Sequence, residues 1–213
     1  RKENSETDDN SKPAPKRKNT PKEPSFWLAD DDKILLERND ENDEISLFHF
    51  KIRGNPKALV RHRSGNGRIY NPSQRHQEEF RKLLKTIVST QSIFEYPLFR
   101  ECDSLAMDVV LKVKRPTSHF LSGKRGPDRI KPTAPRSFGQ FRSDVDNNVK
   151  FVLDSMNKLV YPDDRQVSRL FVTRILDNEG LCEGSTEIRL RILREEDIDS
   201  WVNNTFQDLE STS

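Results

Sequence analysis

The stretch DVDNNVKFVLDSMNKLVYPDDRQV, from Asp144 to Val167, gathers the residues of this chain best suited to chemistry. Asp144 and Asp146 flank a single valine, Lys150 follows one helical turn after Asp146, and Asp154 one turn after that; Asp163 and Asp164 close the run. Carboxylates so crowded repel one another unless something positive sits between them. On a helix of 3.6 residues per turn, Asp146, Lys150 and Asp154 form one polar stripe. Asp144 and Asp146 fall at its entrance, where backbone N–H groups favour negative charge. Capping by Asp144 or Asp146, with ion pairs to Lys150, is the plain structural account. It explains one aspartate and leaves the Asp163–Asp164 pair unexplained. Paired carboxylates beside a lysine are also what a hard divalent cation and a phosphodiester require. Oxygen ligands hold Mg2+, the metal activates water and neutralises phosphate, and the lysine stabilises charge growing on the phosphorus oxygens.

The elements that must position these groups are legible around them. Apolar spacing predicts a helix over about 145–160, with Val149, Val152, Leu153, Met156, Leu159 and Val160 on its buried face. Drawn from Asn147 to Leu159 it is roughly 20 Å long. The return from Val160 to Asp164 spans at most about 17 Å. Asp164 must therefore fold straight back along the helix, or the helix is shorter, or a partner subunit supplies Asp164. Upstream, EISLFHFKIRG predicts a strand at 45–53 ended by Gly54-Asn55-Pro56, and KALVRHRSGNGRIYNP a basic loop or hairpin. A helix follows Pro72, capped by Ser73, with Phe80, Leu83, Leu84, Ile87 and Val88 on one face. SLAMDVVLKVKR, QVSRLFVTRIL and STEIRLRIL read as further strands, the last two joined by the turn DNEGLCEG.

Composition bounds the rest. The 213 residues are 32% hydrophobic and 34% charged, enough for one domain with tails. Residues 1–25 hold four prolines and no large apolar side chain, and are expected to be a disordered tail. The run from Phe26 to Glu44 is acidic with a few apolar residues and is expected to dock as an added segment. The folded domain is expected over 45–194, followed by an amphipathic segment over 195–213 that carries Ile198, Trp201, Val202, Phe206 and Leu209. Cys102 and Cys182 lack metal-ligand spacing and read as free thiols of a reducing, intracellular compartment: nucleus or DNA-containing organelle in a eukaryote, otherwise cytoplasm. No apolar run reaches membrane-spanning length, and no signal peptide is expected ahead of the domain within these residues. Charge is sorted along the chain: net −4 over 1–44, +13 over 45–142 and −7 over 143–213. A strongly basic block beside a carboxylate-rich one suits a polyanion held by the first and processed by the second.

The run D-V-D-N-N-V-K, a further aspartate after the lysine, and D-D-R-Q-V opening a strand resemble the signature of the RusA-type Holliday junction resolvases. FKIRGNPKALVRHR followed by IYNP is similar to that family's opening strand, Gly-x-Pro, basic turn and Tyr-x-Pro before its first helix. The resemblance covers roughly residues 45–194. It implies an α+β fold, a small mixed β-sheet packed with two main helices, a homodimer, dependence on Mg2+ (Mn2+ as substitute), and paired nicks in four-way DNA. It also implies that Asp144, Asp146 and Asp164 are the metal-site acids and Lys150 the catalytic lysine, with Asn147 supporting. Asp163 is then the less critical neighbour, and Asp154 lies on the same stripe. The chain departs from the family pattern at Asn148, where an apolar residue is usual, and at Arg142-Ser143, where Lys-Pro is common. The loop before the motif is long, and both termini carry extensions.

Basic residues supply the expected DNA contacts: Lys57, Arg61, Arg63 and Arg68 in an acid-free run, and Lys124, Arg125, Arg129, Lys131, Arg136 and Arg142 in the loop over 115–142. Phe120, Phe138 and Phe141 either wedge between bases or anchor that loop to the core. His49, His62, His76 and His119 read as structural or DNA-facing. A small-molecule cofactor and a membrane are not expected. The rival readings are a non-catalytic junction binder and a nuclease of flaps, forks or single strands. Two opposed nicks call for two copies of the single motif, hence the dimer. Its expected interface is a sheet edge at STEIRLRIL, ahead of the segment with Trp201 and Phe206.

Overall fold

A computed structural model describes residues 24–198, apart from 31, 40–42, 66 and 94. The expected tail and most of the C-terminal amphipathic segment, including Trp201 and Phe206, lie outside the described residues. The strands are β1 (Leu35–Arg38), β2 (Ile45–Arg53), β3 (Arg63–Gly65), β4 (Arg68–Tyr70), β5 (Leu105–Val113), β6 (Val167–Leu176) and β7 (Ser185–Ile192). The helices are α1 (Gln74–Thr90) and α2 (Val145–Met156). The main sheet runs β1-β2-β7-β5-β6, and β3 and β4 form a separate hairpin. Only β5 and β6 are parallel; the other pairs are antiparallel. The fold is mixed α+β, as expected.

Alternation along the central strands sends every second side chain to one face. Phe48, Phe50 and Ile52 of β2, Met107, Val109 and Leu111 of β5, and Ile188 and Leu190 of β7 are buried there. Phe80, Leu84, Ile87 and Val88 of α1, with Phe151, Val152 and Met156 of α2, complete this core. The opposite face is polar. There His49 meets Glu187 at 2.9 Å and Lys51 meets Glu179 at 2.7 Å.

Four particulars depart from the sequence reading. First, β7 is paired on both sides, by β2 and β5, so STEIRLRIL is an interior strand, and β1 and β6 stand at the two edges of the sheet. The turn 177–184 steps across the end of β5 rather than closing a hairpin. Second, α2 ends at Met156, before a sharp reversal through Lys158 at φ 63°; Leu159 and Val160 stay in the core beyond the helix. Third, the Ser73 hydroxyl caps nothing; it accepts the Val60 N–H at 2.9 Å and ties the basic loop to the start of α1. Fourth, the segment after residue 24 is part of the core. Phe26 is 3% exposed, edge-on to Phe80 at 5.5 Å and 6.1 Å from Phe151. Trp27 bridges Arg53 through backbone bonds of 3.0 and 2.8 Å, and Arg53 pairs with Asp32 at 2.7 Å. Gly54 is required here: its φ is +117°, and a Cβ would lie 2.3 Å from the Ser25 carbonyl oxygen.

Candidate active site

The N-terminus of α2 is the centre of the site. Asp144 is its N-cap in extended conformation (φ −74°, ψ 151°), yet its carboxylate accepts no helix N–H. Capping therefore leaves this aspartate available for another ligand. Asp146 sits in the first turn, and Asp146 and Lys150 are exposed while Val149, Phe151, Val152 and Met156 are buried. The polar stripe expected from the spacing is present. Asp154, half-buried at its far end, has its carboxyl pushed up, chiefly by burial and further by Asp164, against the pull of Lys150 and His62.

The second aspartate pair divides its work. Asp163 caps the short turn Asp164–Gln166: its Oδ1 accepts the Arg165 N–H at 3.0 Å, and Gln166 Oε1 accepts the Asp163 N–H at 3.3 Å. The Arg165 N–H, and next the Arg165 guanidinium at 2.9 Å, hold its carboxyl below the usual range. Capping, set aside for this pair on sequence grounds, thus accounts for Asp163. Asp164 is left over, within electrostatic reach of Asp154 and of the buried Tyr161, whose hydroxyl it helps to keep protonated after burial.

Among the described residues, Asp144, Asp146 and Asp164 do not gather into a group that could hold a metal. β6 runs back against the direction of α2. Its far end meets the helix entrance, where Arg174 Nη1 donates to the Ser143 carbonyl and, at 3.1 Å, to Asn148 Oδ1. Its near end, which Asp164 precedes, lies toward the other end of α2. The carboxylates therefore fall into two groups, Asp144 with Asp146 and Asp154 with Asp164, and Lys150 stands between them in sequence. Among the described residues no three His, Cys, Asp or Glu side chains gather closely enough to hold a metal.

Several positioning residues escaped sequence reasoning. Asn148 is 3% exposed and accepts from Ser143 Oγ at 3.0 Å as well as from Arg174. Two of the departures from the family pattern, Asn148 and Ser143, are thus one polar joint that fixes the segment entering Asp144. An asparagine among the apolar positions of α2 was the visible signal; its partner Arg174, at the far end of β6, had none. Arg115 is fully buried and staples the long loop. Its guanidinium donates to the carbonyls of Pro135 and Asp177, both at 2.7 Å, to that of Arg136 and to Asn178 Oδ1. The 115–142 segment is accordingly built of three short 3-10 turns closed onto the sheet rather than a featureless loop.

Two basic walls flank the entrance of α2. One is the 55–70 loop with its hairpin, fastened by the Leu59 N–H to the Asn147 carbonyl at 2.8 Å. It carries Lys57, Arg61 and Arg63, with Arg68 in β4, and brings His62 toward Asp154. The other is the long loop, where Lys124, Arg129, Arg136 and Arg142 are exposed and Lys131 is half-buried. Arg125 is engaged within the loop: Nη1 donates to the Arg115 carbonyl at 3.0 Å, and the guanidinium lies 5.6 Å from the Phe120 ring. Phe120, 2% exposed, is an anchor, whereas Phe138 is 73% exposed. The remaining histidines are structural: besides His49, His76 Nδ1 bonds Ser25 Oγ at 3.1 Å and His119 lies against Arg115. Cys102 and Cys182 are both free thiols, and among the described residues no helix is long and apolar enough to cross a membrane.

No solved structure matches the chain. Among curated proteins it is similar to the uncharacterized protein YqaN of Bacillus subtilis strain 168, with 28% identity over 150 residues, 65% of this chain and 94% of that protein. The family model for endodeoxyribonuclease RusA matches residues 50–191, from β2 to β7 and across both carboxylate groups. That span is well over half of the chain, and the chain belongs to the RusA endodeoxyribonuclease family.

Proposed function

We propose that the chain is a homodimeric, Mg2+-dependent endonuclease that resolves four-way DNA junctions by paired nicks. The observation that carries this reading is the uncapped Asp144 carboxylate beside Asp146, on an exposed stripe with Lys150, between two basic walls. The donor set consists of carboxylate oxygens without imidazole or thiolate, which suits Mg2+ and admits Mn2+. When bound, such a cation supplies an activated water and charge neutralisation at the scissile phosphate. The protein does the rest. Lys150 meets the negative charge that grows on the phosphate oxygens, and Asn147 holds the basic turn against α2 through its carbonyl. Lys57, Arg61, Arg63, Arg129 and Arg136 hold the backbone of the arms without reading sequence.

The third acid, in this reading, comes from the partner subunit. β6 is a ten-residue edge strand with Leu170 (41% exposed) on one face of the sheet and Phe171 (62% exposed) on the other, and pairing its outer backbone with a second copy would flank both. An antiparallel β6–β6 pair about a two-fold axis sets the start of the partner's strand beside the end of this one. It thereby carries the partner subunit's Asp164 toward Arg174, Ser143 and Asp144. Dimerisation then completes two sites at once, which couples the two nicks. Cleavage assays on a four-way junction, a flap and a plain duplex in Mg2+ test the reading. Paired nicks in the junction and an intact duplex are expected. Preferential cutting of the flap would move the substrate class to flaps or forks, and no cutting of any would overturn the assignment.

A further inference from the structure

A cavity of about 500 Å³ opens beside the entrance of α2, between the long loop and the end of β6. Ser143 and Asn148, which bracket the Asp144–Asp146 pair in sequence, form part of its wall, and Lys114, Phe141, Arg142 and Arg174 line it as well. Its surroundings are fixed. The Arg174 guanidinium lies 4.4 Å from the Phe141 ring centroid while bonding Ser143 and Asn148, so ring and cation are held in one stack. Arg115 clamps Pro135 and Arg136 at the loop's return. The backbone closes onto β6 at Gly139, where a Cβ would meet Leu176 at 3.2 Å. The mechanism above brings the partner subunit's Asp164 toward the Ser143–Arg174 wall and assigns nothing to the space inside.

We propose that the cavity receives one unstacked nucleobase of the strand being cut. The inference rests on the endonuclease reading and adds a base-binding site to it. A flat aromatic ring held against a guanidinium is a stacking platform that accepts any base, since every base presents a π-face. Lys114 and Arg142 stand where phosphates flanking that base would need neutralising. Ser143 in the cavity wall directly precedes Asp144, so a base held in the cavity lies close along the strand to a phosphate at the Asp144–Asp146 pair. A continuous duplex holds each base between two stacked neighbours, whereas a base at the strand exchange point of a junction has lost a stacked neighbour on its own strand and costs less to unstack. Base capture therefore also provides a means of discriminating branched from plain DNA.

The test is a cycle between protein and DNA, read as junction affinity without added divalent cation so that cutting plays no part. Nucleotides on either side of the cut site are replaced one at a time by abasic residues, and each junction is titrated with the full chain and with Phe141→Ala. At one position, base removal and Phe141→Ala should each weaken binding roughly ten-fold, the effect of losing one base–aromatic stack, and the two together no more than either alone. Phe141→Tyr, which keeps the ring, should match the unchanged chain. Should Phe141→Ala lower the thermal midpoint, Phe141→Leu takes its place in the cycle. Additive losses at every position would overturn the base site while leaving the nuclease reading intact wherever cleavage persists. A chain that binds no branched DNA would overturn both.

Discussion

Replacing Phe26 by alanine tests whether the segment before β1 belongs to the nuclease core. The ring is 3% exposed and sits between Phe80 of α1 and Phe151 of α2. Backbone bonds from Trp27 to Arg53 and the Asp32–Arg53 pair hold the segment on either side, so the site cannot collapse around a smaller residue. Removing a buried phenylalanine under such constraint costs about 3–5 kcal/mol. At roughly 2–4 °C per kcal/mol for a domain of this size, the thermal midpoint should fall by about 6–12 °C or more. Thermal unfolding followed by circular dichroism measures it. Deleting residues 1–23, which contain no large apolar side chain, serves as the control and should leave the midpoint unchanged. Because Phe151 lies on the helix that carries Asp146 and Lys150, cleavage by Phe26→Ala should slow as well, although Phe26 faces no DNA. A midpoint within about 2 °C of the unchanged chain would refute the packing argument, since a loss that small cannot come from an aromatic cavity in a constrained site.

Lys150→Ala should lower the single-turnover cleavage rate by roughly a hundred-fold or more while changing junction affinity by only a few-fold, because its charge is used in the transition state. Equal losses in both would make it an ordinary phosphate contact. Arg129→Ala and Arg136→Ala should each reduce the salt dependence of binding by about one phosphate's worth, measured as the slope of log affinity against log salt. Glu179 gives a pH test. Bonds from Lys112 and then Lys51 hold its carboxyl down to about 2, so its stabilisation is complete above about 4.5 and is lost as pH falls toward 2. Its side chain is 47% exposed, so Glu179→Gln should cost only about 1 kcal/mol at neutral pH, and the difference from the unchanged chain should vanish near pH 2 in denaturant titrations.

Local signals in the sequence carried much of this architecture. Apolar alternation located β2, β5, β6 and β7, and the 3.6-residue spacing located α1 and the exposed stripe of α2, because each reports on a single element. What escaped depends on pairs far apart in the chain. That β5 lies between β6 and β7 is a property of the whole sheet, and it makes β7 interior and puts β6 at an edge. Ser73 looked like a cap, but the Val60 N–H from the basic loop claims its hydroxyl. Arg115 and Arg174 read as two more cations in a basic chain, and only the fold shows them buried or stacked at the joints of the site. The length estimate left three ways for Asp164 to reach Asp144, by folding straight back, by a shorter helix or from a partner subunit; the helix is shorter, ending at Met156, and β6 runs back along it to Arg174.

Subunit mixing tests the shared site most directly. Asp146→Asn and Asp164→Asn chains are prepared separately, then unfolded and refolded together, and each preparation is assayed for cleavage of a four-way junction in Mg2+. Neither variant should cut alone. If Asp164 completes the partner's Asp144–Asp146 pair, a mixed dimer carries one doubly defective site and one site with every carboxylate intact, so the mixture should regain single nicks. If each site were built within one chain, every site in the mixed dimer would lack a carboxylate. A mixture that stays inactive while the unchanged chain cuts the same junction would contradict the account.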